Sequence, residues 1–137
     1  MKVSLAFLTA ISMIAVPSSS PKIGEKTAEI TNASWQEVPD TASTAEGYVD
    51  PAYININGIS RNSDRVIFEV INPDVSYGRV EGNCSTNQIR SLRIGYFLSK
   101  TQVSYIEQNS EFWNKANSYQ INILKFACNN SEKNNFE

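Results

Sequence analysis

The sequence predicts an α+β domain of six strands and one C-terminal helix, with a disulfide between Cys84 and Cys128 holding that helix to the sheet. Three observations carry this expectation. Short runs rich in β-branched and aromatic residues, alternating with period two, recur from Trp35 to Glu107. Beyond them Ile121, Leu124, Ala127 and Cys128 return at helical spacing, with Ile123 and Phe126 widening the apolar side. The chain has 2 cysteines, one at the end of a strand-like run and one at the end of the helix-like run.

Taken in order, Met1-Lys2 is a short cationic start and Val3 to Val16 an apolar stretch of secretory-signal length, too short to span a bilayer comfortably. Val16 and Ser18 place the cleavage after Ser18. Residues 1–18 are therefore read as a signal peptide, 19–32 as a mobile leader, 33–129 as the domain and 130–137 as a polar tail. Export agrees with a lone cysteine pair, because disulfides persist in oxidising compartments. The expected location is the periplasm, the cell surface or the extracellular space. No cysteine follows the apolar stretch, so no lipid anchor is expected.

Ser34 to Val38 alternates as a half-buried strand closed by Pro39, and Tyr48-Val49-Asp50 is a second strand stopped by Pro51. Ala52-Tyr53-Ile54 reads as a single turn, and Asn62-Ser63-Asp64 as the hairpin turn into the next strand. Asn55-Ile56-Asn57-Gly58 shares part of a calcium-loop pattern but lacks the downstream acidic ligands, and reads as a plain turn. Arg65 to Ile71 is apolar on both faces and thus central. Tyr77 to Ser85 sets Gly78, Val80, Gly82 and Cys84 on one face, where the missing side chains leave room for a helix. Gln88 to Lys100 is a long strand with Arg90, Leu92, Ile94, Tyr96 and Leu98 on one face and Arg93 on the other, and Val103 to Glu107 is the sixth. Phe112 and Trp113 lie in a connector, Ser118 is the expected N-cap, and a buried strand remains the rival reading of the last element.

Composition excludes several function classes. The net charge is -2 with no basic run, which argues against nucleic acid as a partner. With 0 histidines the chain lacks the usual general base and the usual imidazole metal ligand. There is no phosphate-cradling glycine loop and no nucleophile elbow, so no enzyme activity, metal or cofactor is expected. Asp50, beside Tyr48 and Val49, is the one carboxylate worth weighing for hydrolysis, and a strand-end turn is its plainer reading. Sequons at Asn32, Asn83 and Asn129 would matter only in a eukaryotic secretory pathway.

With Trp35-Gln36-Glu37-Val38, Tyr48-Val49-Asp50, the strand Val66 to Val70, Tyr77 followed by Cys84, Trp113, and Leu124 to Cys128 in this order, the chain resembles the surface-adhesin protein E family of small secreted bacterial domains. The resemblance implies a single six-stranded antiparallel sheet with the C-terminal helix tied to one face by the disulfide. It also implies a non-enzymatic, adhesin-like role in binding proteins, with homodimerisation. The residues around Ile54 to Ser60 depart from the family pattern. Tyr77, Arg79, Arg90, Arg93 and Tyr96 form the candidate binding surface, since Tyr and Arg dominate recognition hot spots. Ordinary cross-strand pairing is the competing account of the same residues. The alternative function is a small-ligand-binding domain with its site between helix and sheet, which requires a cavity there.

Overall fold

The computed structural model describes residues 24–42 and 50–131, so the expected signal peptide, Tyr48-Val49 and all but the start of the polar tail lie outside the described residues. Among the described residues nine strands form one antiparallel sheet: β1 (Glu25–Glu29), β2 (Trp35–Glu37), β3 (Tyr53–Asn55), β4 (Ser60–Asn62), β5 (Arg65–Ile71), β6 (Tyr77–Asn83), β7 (Gln88–Phe97), β8 (Gln102–Glu107) and β9 (Asn114–Lys115). The order across the sheet is β1-β8-β7-β6-β5-β3-β2, with β4 beside β5 and β9 beside β7. One helix, α1 (Ser118–Ser131), closes the chain.

The strand count corrects the expectation of six. Three of the added strands, β3, β4 and β9, are two or three residues long, too short for alternation to declare itself. Tyr53 and Ile54 thus extend along β5 instead of forming a turn, and Ile54 is fully buried. The fourth, β1, lies within the stretch expected to be a mobile leader. All five of its residues pair with β8, from Glu25 opposite Ile106 to Glu29 opposite Gln102. Its charges are those of an edge strand, whose pairing comes from the backbone rather than from an apolar face. The domain therefore starts before Ala33, and the helix carries it past the expected end at 129 to Ser131, which is itself buried.

The two ends of the sheet are drawn together. β1 and β2 terminate a seven-strand path yet are joined only by residues 30–34. That link reaches about 20 Å when fully extended, whereas six strand spacings of a flat sheet need nearly 30 Å, each estimated from backbone geometry. The sheet curls accordingly. The Trp35 ring meets Phe97 edge-on at 5.9 Å, and Phe97 meets Tyr77 at 5.8 Å. Ile30, Val103 and Tyr105 fill the space beside them.

The helix lies on the opposite face. Val66, Phe68 and Val70 of β5 point toward it and join Ile54, Ile123, Leu124 and Ala127 in the main core. At Gly82 a Cβ would fall on the Leu124 side chain, so this glycine supplies the close approach that the sequence suggested. Gly78 does not, because its nearest neighbours are Val70 of β5 and Asn72 just beyond it. The disulfide joins Cys84, just past β6, to Cys128 in the last turns of α1, with the Cα atoms 6.1 Å apart.

Both helix ends have side-chain partners. Asn117 Oδ1 accepts from the Gln120 N–H at 2.8 Å and Gln120 Oε1 accepts from the Asn117 N–H at 3.0 Å, a reciprocal capping box one residue ahead of the expected Ser118. At the other end Arg61 of β4 donates to the Cys128 carbonyl at 3.1 Å and to Ser131 Oγ at 3.0 Å. A cation at the carboxyl end of a helix also suits its dipole.

Candidate functional site

Register decides which candidate side chains share a face. Arg79 stands opposite Arg93, but Val80 stands opposite Ser91, so Leu92 is an extra residue in β7. This bulge shifts the alternation by one. Arg90 and Arg93, three apart and expected on opposite faces, consequently lie on the same face as Arg79 and Tyr77. Tyr96 lies on the other face, opposite Ser104 of β8. The five candidate residues are therefore not one surface.

On the curled face the charges form a cross-strand network. Glu81, buried at 7% exposure, accepts from Arg90 at 2.7 Å and lies 3.4 Å from Arg65. Glu107 takes Arg93 at 3.4 Å and Lys26 at 3.8 Å. Arg93 also lies 4.3 Å over the Tyr105 ring, and Arg90 lies 4.6 Å over Trp113. Burial alone would lower the Arg93 guanidinium, but Tyr105, Glu107 and Tyr77 around it hold it above its usual value. Tyr77 is 1% exposed and its hydroxyl donates to Glu69 Oε2 at 2.8 Å. Burial, and then the Glu69 carboxylate, push the phenol well above its usual range. Tyr77 is thus a core residue and offers no surface of its own. Asp50 is exposed at the edge of the described chain.

On the helix-bearing face, α1 covers the β5 side of the sheet and Ile89 at the start of β7, and leaves the far half of β7 and β8 open. Ile94, Tyr96, Leu98 and Ile106 are 42%, 49%, 50% and 41% exposed there. Ile94 and Ile106 are direct cross-strand partners, so the side chains form one apolar row. A groove of about 350 Å³ runs beside the row, with Asn72, Ser76, Glu25 and Ser104 as its polar margin. The margin is held in place: Ser76 donates through its O–H and its N–H to Asp74 Oδ1 at 2.6 and 3.0 Å. Those two hydrogen bonds lower the Asp74 carboxyl below its usual value. Tyr119 of the helix donates to Asn72 Oδ1 at 2.7 Å.

Between helix and sheet there is little room. The cavity lined by Phe68, Val70, Val80, Tyr119 and Ile123 measures about 60 Å³, whereas small-molecule sites typically take about 300–1,000 Å³. Among the described residues no group of three His, Cys, Asp or Glu side chains is placed to hold a metal ion, and no helix is long and apolar enough to cross a membrane.

Sequence reasoning placed Ile94, Tyr96 and Leu98 on one face but did not mark the row as exposed. The signal that bears on it is helix length: fourteen residues reach about 21 Å, less than the width of this sheet.

What the fold and these surfaces define is a disulfide-stapled domain with an antiparallel sheet, one C-terminal helix and an uncovered apolar row. No protein-family model matches the chain, and no curated protein or solved structure matches it.

Proposed function

We propose that this is an exported, non-enzymatic binding module that recognises a protein through the row Ile94, Tyr96, Leu98 and Ile106, in the manner of the surface-adhesin family it resembles. The observation that carries the reading is the exposure of this row beside the edge of α1. Contiguous apolar surface rimmed by polar groups marks interaction sites. Covering four such half-exposed side chains is worth about 1 kcal/mol apiece from area burial, and an exposed Tyr supplies a hot-spot anchor. The Cys84–Cys128 bond supports an oxidising location, in the periplasm, at the cell surface or outside the cell. The small cavity under the helix disfavours the alternative of a ligand held there.

The test is photo-cross-linking from a benzophenone side chain at Tyr96 in the native surroundings. A single protein partner, competed away by excess unlabelled chain but not by I94D/I106D, is expected. Diffuse labelling, or a small metabolite co-purifying in native mass spectrometry with no protein partner, would overturn the reading. Cross-links between two copies of this chain alone would replace it with the homodimer.

A further inference from the structure

On the curled face two arginines stand side by side in register. Arg79 of β6 and Arg93 of β7 are direct cross-strand partners, and like charges in that position repel. Their outer neighbours in the same lateral row are Glu69 and Glu107. Arg93 is engaged by Glu107, by the Tyr105 ring and by the Tyr77 hydroxyl. Arg79 is held more loosely: its contact is Glu69 Oε2 at 4.0 Å, beyond hydrogen-bond distance, and its side chain is 32% exposed. The ion pairs of this face join five cations to three carboxylates.

We propose that Arg79 and Arg93 form a two-guanidinium seat for a single carboxylate group, carried by an acidic side chain or a chain terminus of a ligand. The planar fork of arginine matches a carboxylate with two parallel hydrogen bonds, and a carboxylate between the pair removes their repulsion. The row itself carries two positive and two negative charges. That balance gives no net attraction to anions, so the fork geometry of the guanidinium groups is what selects a single carboxylate, and Glu69 and Glu107 at the ends of the row repel a chain of sulfates or phosphates. This seat lies on the face opposite the apolar row, and neither depends on the other.

The test follows the guanidinium Nε–H resonances of the full domain at constant ionic strength. The probes are N-acetylglutamate N-methylamide for a side chain, N-acetylglycine for a chain terminus, and inorganic sulfate. Saturable shifts at both Arg79 and Arg93 with at least one carboxylate probe are expected, and the tighter of the two identifies the source. R79Q should bind roughly tenfold more weakly, the worth of a charge-assisted hydrogen bond. K125Q, the same charge change at an exposed helix position, should bind like the parent. R79K, which keeps the charge and loses the fork, should be weakened too and serves if R79Q does not fold. Absent saturation, unchanged binding in R79K, equal weakening in K125Q, or sulfate saturating below either carboxylate would each overturn the proposal.

Discussion

Replacing Gly82 by alanine places a methyl group on the Leu124 side chain, and Leu124 is 1% exposed in the main core, so the end of its side chain must shift against buried neighbours. Overpacking of this kind costs about 1–3 kcal/mol. It is offset in part by about 0.4–1 kcal/mol from the stiffer unfolded chain. L124A alone should cost about 3–4 kcal/mol through lost burial and the cavity it leaves. In the double variant the new methyl group occupies part of that cavity, so the two costs do not add. Urea unfolding of the four species, oxidised throughout, should give a coupling energy of about 1–2 kcal/mol in favour of the double variant. Additivity within about 0.5 kcal/mol would show that Gly82 and Leu124 do not meet, and would refute the close approach of helix and sheet at this point.

Three further outcomes follow from the same contacts. C84S/C128S frees a loop whose ends are 44 residues apart in sequence, and chain entropy puts the loss at about 4 kcal/mol, read as a lower urea midpoint matched by the reduced parent. Because the Tyr77 phenol is raised above its unfolded value of 10.0, the neutral form stabilises the fold fully below about pH 10, and that stability is lost as pH rises beyond it; Y77F should flatten this alkaline decline in stability measured between pH 9 and 11. N117A removes the acceptor for the Gln120 N–H and should cost about 1 kcal/mol in thermal unfolding, whereas S118A should be near neutral.

Elements with strong local pattern were legible in the sequence. Arg65 to Ile71 is a strand over the range its alternation indicates, and the helical spacing through Ile121, Leu124 and Ala127 gives α1. Ser63 and Asp64 turn the β4–β5 hairpin, with Ser63 at a φ of 59°. What failed did so for physical reasons. β1 has no apolar period, because the edge of a sheet needs only backbone partners. The bulge at Leu92 has no signature in side-chain type, yet it moves Arg90 to the face of Arg79 and Arg93 and away from Tyr96. Tyr77 carries a residue type suited to recognition, but its ring is absorbed by Phe97 and its hydroxyl by Glu69. The exposure of Ile94 and Tyr96 depends on where α1 stops, which is a tertiary property.

The measurement that tests the account most directly is binding by the I94D/I106D and Y96A variants to the partner that cross-linking at Tyr96 identifies. These positions are 41–49% exposed, so the substitutions should leave the fold and the disulfide intact by near-ultraviolet circular dichroism and intact mass. The account predicts that affinity falls about tenfold or more in each variant. Unchanged affinity in folded, oxidised variants would contradict it and move recognition off the apolar row.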